Sequence, residues 1–107
     1  MPTYNKLVRD KIPQIIESKG KEFSTKVLSD EDYIKYLKEK AYEELDEYCA
    51  AETNGEAVEE LADLLEVIGA LAKQHGSTIE EVESVRKDKT VRRGGFQEKV
   101  FLIGVEE

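Results

Sequence analysis

Glu44, Glu47, Glu60 and Asp63 have the types and the spacing to do chemistry together. They read as Glu-x-x-Glu followed by Glu-x-x-Asp, with the turn signal Asn54-Gly55 midway between the pairs. Residues three apart share one face of a helix. If each pair lies on its own helix and the chain folds back at Asn54-Gly55, Glu47 comes level with Glu60 and Glu44 with Asp63. Four carboxylates that close cannot all stay ionised unless a cation compensates them. The pattern therefore predicts a metal centre with Glu44, Glu47, Glu60 and Asp63 as ligands, for one ion or two. All-oxygen ligation selects a hard cation, Mg²⁺ or Mn²⁺, over Zn²⁺. A nitrogen ligand is excluded, because His75 is the only histidine and lies about 22 Å along its helix from Glu60. Ser-His-Asp and Cys-His catalysis have no support.

The acids also lie on apolar lines. Leu37, Ala41 and Glu44 follow i, i+4, i+7, as do Glu60, Leu64 and Val67. The carboxylates should thus point toward the packed side. The plainer reading is a solvated acidic helix pair, and Glu43, Asp46, Glu59 and Glu66 are read as water-facing acids of that kind. Mg²⁺ keeps waters and bridges to substrate phosphates. Such a centre suits phosphate chemistry with a metal-activated water as nucleophile.

The elements that must hold these residues are mainly helical. A first short helix is expected from a cap at Asp10, with Pro13 in its first turn, to a stop near Lys19-Gly20. A second opens at Ser29 and runs to about Glu52, carrying Ile34, Leu37, Ala41, Leu45 and Tyr48 inward. A third follows Asn54-Gly55 and runs to Gln74 or His75, with Gly76 as its stop. Its apolar residues cover more than one face, which predicts burial by its own fold and by a partner chain. Gly69 within it is a candidate for a close helix–helix approach. Ser77-x-x-Glu80 is a capping box for a fourth helix over about 78–90. Glu22–Leu28 and Lys99–Val105 lean toward β structure and are candidates for a small two-stranded ribbon packed on the helices. The expected fold is an all-α antiparallel bundle of about four helices, with that ribbon as an addition.

At 107 residues the chain makes one domain, 1–107, with a modest core. Oligomerisation is a natural way to bury more. No apolar run is long enough to span a membrane, and the lone Cys49, read as a small core residue, excludes an internal disulfide. A cytoplasmic protein is expected. The net charge of −8 is segregated. Residues 1–26 hold six basic and three acidic side chains (net +3), 39–66 hold one and eleven (net −10), and 86–99 hold six and two (net +4). Basic ends around an acidic middle suit an anionic ligand that arrives with cations. Bulk nucleic acid is an unlikely partner for so acidic a chain.

Glu43-Glu44-x-x-Glu47 followed by Glu60-x-x-Asp63 resembles the signature of the all-α nucleoside triphosphate pyrophosphohydrolases, a superfamily that includes MazG-type enzymes, dimeric dUTPases and phosphoribosyl-ATP pyrophosphohydrolase. Tyr4-Asn5-Lys6-Leu7-Val8-Arg9-Asp10-Lys11-Ile12-Pro13 and Arg93-Gly94-Gly95-Phe96 resemble its phosphoribosyl-ATP pyrophosphohydrolase-like, or MazG-like, subgroup. The resemblance covers nearly the whole chain. It implies cleavage between the α- and β-phosphates of a nucleotide, with house-cleaning of non-standard nucleotides as one role. Glu44, Glu47, Glu60 and Asp63 match the metal ligands. Glu43, with Glu44 and Glu47, falls in the catalytic acidic signature and would support them or position water. A homo-oligomer, dimer or tetramer, is also implied. The subgroup's label alone does not establish the phosphoribosyl-ATP reaction of histidine biosynthesis, which stands as an alternative.

Asn5, Lys6 and Arg9 near one end, and Lys89, Arg92 and Arg93 near the other, are the candidate substrate-binding residues. Arg suits bidentate phosphate contact and Lys supplies a point charge. The competing function class is a non-catalytic acidic helical module that binds a protein through its apolar third helix.

Overall fold

Side-chain caps fix where three of the four helices begin. The computed structural model describes residues 2–107. Its helices are α1 (Ile12–Ser18), α2 (Asp30–Ala50), α3 (Asn54–Gln74) and α4 (Ile79–Arg93). The Ser29 hydroxyl accepts the Asp32 N–H at 3.2 Å and opens α2. Thr53 accepts the Glu56 N–H at 3.1 Å and opens α3, while Glu56 reaches back to the Glu52 N–H. Thr78 accepts the Glu81 N–H at 3.1 Å and opens α4. The cap of α4 therefore sits one residue past the expected Ser77-x-x-Glu80 box. At α1, Lys11 precedes the helix without a side-chain cap, so Asp10 does not serve as one.

The stops follow the glycines. Gly76 takes φ +71°, a left-handed conformation open to glycine at little cost. That turn lets the Gly76 N–H donate to the Lys73 carbonyl and the Ser77 N–H to the Ala72 carbonyl, closing α3. Gly20 ends α1 in the same way, through Glu17 and Ile16.

α2 and α3 form an antiparallel hairpin, and this is the main packing in the molecule. Its link is Ala51–Thr53. Asn54-Gly55, expected to be the turn, instead forms the first turn of α3. Residues equidistant from Glu52 come level, and Leu37 and Val67 both lie fifteen positions from it. Both are buried, and with Ala72 they form the buried apolar core. α4 rests on α3 through its first half, where Ile79, Val82 and Arg86 line a groove with Leu65 and Ile68. All of residues 87–93 are exposed.

The fold is all-α, as expected, with one correction. No strand occurs among the described residues. Residues 22–28 and 99–105 have no regular secondary structure and do not pair with each other. A two-stranded ribbon is marginal without an apolar face beneath it, and the side chains of Phe101 and Ile103 stand in water. Among the described residues no helix is long and apolar enough to cross a membrane.

Much apolar surface is left outside. The Cα radius of gyration is 18.2 Å, against about 13 Å for a compact chain of this length. On α3, Val58, Leu61 and Leu65 form an exposed stripe at helical spacing; on α2, Tyr42, Leu45 and Tyr48 do the same.

Gly69 faces Ile79, but an added Cβ would lie 3.9 Å from the Ile79 Cβ, an ordinary contact. The expected close approach is therefore loose enough to accept alanine. Gly69→Ala should stabilise the protein by about 0.5–1 kcal/mol through helix propensity. A thermal melt checks this: the midpoint is expected to rise by a few degrees, and a fall would mean that α4 cannot accommodate the methyl group.

Candidate metal centre

The α2–α3 register decides which acids meet. Glu44 and Glu60 each lie eight residues from Glu52, the middle of the link, and so come level. Glu47, one turn along α2 from Glu44, closes the group. One carboxylate oxygen from each of Glu44, Glu47 and Glu60 lies within 4.8 Å of the other two. By the same count Asp63 comes level with Ala41, one turn away. Three of the four acids expected to be ligands are thus brought together. The expected register, centred between Thr53 and Asn54, would have set Asp63 level with Glu44.

Asp63 has another partner. Arg9 Nη2 donates to its Oδ1 at 2.6 Å, and Arg9 Nη1 lies 3.6 Å from Glu66 Oε1. Arg9 precedes α1, and this ion pair ties the N-terminal segment to α3. Lys40 was not among the sequence candidates. Its Nζ lies 3.6 Å from both Glu43 and Glu44. The signal for it was present in the four-residue step from Lys40 to Glu44, a favourable spacing on a helix. Glu43 stands outside the three-carboxylate group, half-buried, on the Lys40 side.

Glu44 is the one buried charged residue in the described chain, at 5% exposure. Its Oε2 and the Oε2 of Glu60 are buried without a hydrogen-bond partner. Burial first raises the Glu44 pKa above the usual carboxylate range, with Glu47 adding to the rise and Glu60 and Lys40 opposing it. The neighbouring carboxylates of Glu47, and then Glu44, push Glu60 up to about 7. Glu44 and Glu60 therefore resist ionisation at neutral pH without a compensating charge. A hard divalent cation would supply that charge and occupy both orphaned oxygens, so the donor set fits Mg²⁺ or Mn²⁺.

The basic candidates divide. Arg9 reaches the acids. Lys6 lies over the Tyr4 ring at 5.8 Å, and Asn5 takes a left-handed backbone with φ 44°; both are exposed. Lys89 and Arg93 line an open hollow of about 750 Å³ with Arg86, Gly94, Gly95 and Phe96, which no acid of the centre lines. Arg92 is exposed beside it. Within one chain the C-terminal basic residues therefore form their own cluster on the free half of α4. Cys49 corrects its expectation: it is exposed, not a core residue. Five positions from Glu44, it sits about 140° around the helix and faces away from the seam.

Comparison with protein-family models, curated proteins and solved structures found no match to this chain.

The raised pKa of Glu60 has a consequence for stability. The folded value of about 7 lies above the ordinary 4.5. Between them the folded protein holds a proton that the unfolded chain has released, so stability falls as pH rises across that window. Glu44 acts in the same direction. The melting temperature of EDTA-treated protein should drop between about pH 5 and 8. Glu60→Gln should flatten that drop. A flat profile in the unaltered protein would show that the three acids do not share protons.

Proposed function

We propose that this chain is a Mg²⁺-dependent nucleotide pyrophosphohydrolase of the MazG-like kind, cleaving between the α- and β-phosphates of a nucleotide in the cytoplasm. The observation that supports this reading is the convergence of Glu44, Glu47 and Glu60, with two buried carboxylate oxygens left unpartnered. Side chains that merely decorate a surface need not be buried, and Glu44 is.

In this reading Glu44, Glu47 and Glu60 hold the cation. When bound, it stabilises charge on the phosphates and lowers the pKa of a water. Lys40 keeps Glu43 and Glu44 oriented through its two contacts. Glu60, with a pKa of about 7, would have to be deprotonated to hold the cation, so cation affinity would rise with pH. Asp63 is one helical turn from Glu60 and would be available as a further ligand if released from Arg9. The guanidinium so released carries a charge free for a substrate phosphate, where its fork geometry suits bidentate contact. The exposed stripe Val58, Leu61 and Leu65 supports a homo-oligomer, in which a second copy covers α3.

A second reading, a non-catalytic acidic helical module, draws on the same exposed stripe. Incubation with mixed nucleoside triphosphates and Mg²⁺, with pyrophosphate as the readout and EDTA as the control, separates the two. Release that depends on the metal and is lost in Glu44→Ala is expected. Silence across a broad nucleotide panel would favour the module.

The role given to Arg9 has its own measurement. Calorimetric titration with Mn²⁺ in the absence of nucleotide should show several-fold tighter binding by Arg9→Ala than by the unaltered protein, because Asp63 is no longer held. Equal affinity would remove Arg9 as a competitor for Asp63.

A further inference from the structure

Two stretches of backbone end without hydrogen-bonding partners. In residues 22–28 and 100–107 no N–H or C=O group pairs with other backbone among the described residues. Neither stretch has regular secondary structure. The second carries the most exposed apolar run among the described residues, with Phe101 at 86% and Ile103 at 95% exposure; in the first, Val27 is 98% exposed. Water-exposed backbone of this composition is an open template for pairing.

The two stretches match each other. Side chains alternate in an extended chain, so Phe23, Thr25 and Val27 share one face, as do Phe101, Ile103 and Val105. Their flanks carry opposite charge. Residues 19–28 hold Lys19, Lys21 and Lys26 against Glu22, net +2; residues 98–107 hold Glu98, Glu106 and Glu107 against Lys99, net −2. An antiparallel register that sets Phe101 opposite Val27 also sets Ile103 opposite Thr25, Val105 opposite Phe23 and Glu107 opposite Lys21.

We propose that the C-terminal arm, residues 99–105, pairs as an antiparallel strand with Glu22–Leu28 of a second copy of this chain, reciprocally in a twofold dimer. The occupant is a second copy because the chain's own fold leaves both strands open. α4 packs on α3 alone, its last two turns stand free, and the arm departs through left-handed turns at Gly94 and Lys99. An isolated two-stranded ribbon is marginal, whereas exchange buries two arms at once. A buried aromatic side chain removes about 150–250 Å² from water. Two arms, each burying Phe101, Ile103 and Val105 on one face, thus approach the roughly 1,000 Å² a specific interface needs. The pairing rests on the homo-oligomer invoked above and does not involve the metal centre.

Cross-linking tests it in the full-length protein, with Cys49→Ser as the background. Val27→Cys is mixed with Phe101→Cys under mild oxidation, and Thr25→Cys is mixed with Ile103→Cys in a parallel arm. A disulfide-linked dimer containing one chain of each kind is expected from the mixture and from neither variant alone. Light scattering on the unaltered protein is run beside it. A monomer at 100-fold dilution steps up to the highest soluble concentration would overturn the homo-oligomer and the exchange together. A dimer that yields no mixed cross-link would overturn the exchange alone, as would a double variant that closes its disulfide within one chain. Phe101→Asp combined with Ile103→Asp should weaken dimerisation at least tenfold while leaving the helical circular dichroism unchanged.

Discussion

Glu44 is a carboxylate placed where a small helical protein would ordinarily put leucine. It continues the line of Leu37 and Ala41 into the seam between α2 and α3, and it is as buried as the core residues around it. A lone carboxylate there is costly to ionise, and Lys40 at 3.6 Å offsets only part of the cost. Glu47 raises it further, since like charges disfavour one another. The arrangement makes sense when the seam is treated as a receptor for positive charge. The same crowding of carboxylates pushes the Glu60 pKa up to about 7.

The same demand for positive charge runs outward from the seam. One turn along α3, Asp63 and Glu66 take the guanidinium of Arg9, which draws the segment before α1 onto the hairpin. One turn back along α2, Lys40 serves Glu43 and Glu44. Exposed ion pairs of this kind contribute little to stability, about 0–1 kcal/mol each. Their effect is positional: each holds a candidate site residue at a defined place beside the acids.

Against this ordered seam, the rest of the surface is unfinished. The hairpin buries one apolar face of α3 and leaves the stripe of Val58, Leu61 and Leu65 open, while α4 covers only a short stretch of α3 and then departs. A chain of 107 residues has little core to spare, and much of its apolar surface stays in water. The open stripe on α3 and the irregular stretches at 22–28 and 100–107 lie on different parts of the chain.

Local pattern was enough to read the helices from the sequence. Apolar spacing placed α2 and α3, the glycines at 20 and 76 marked the stops of α1 and α3, and the acids fell on lines that point inward, because each of these is decided within a few residues. Glu44, Glu47 and Glu60 were legible as partners for that reason. The boundaries were less so: Thr78, not Ser77, caps α4, and Thr53 caps α3 ahead of Asn54-Gly55, since competing caps one residue apart differ by little energy. That small shift moved the centre of the hairpin to Glu52, and with it the fourth acid out of the cluster and into the hands of Arg9. Arg9 as a partner of the acids, the exposure of Cys49 and the unpaired state of the two β-leaning stretches belonged to tertiary structure alone. Each depends on the register and direction of whole helices, and those are settled by how faces pack across the fold and not by the residues next door.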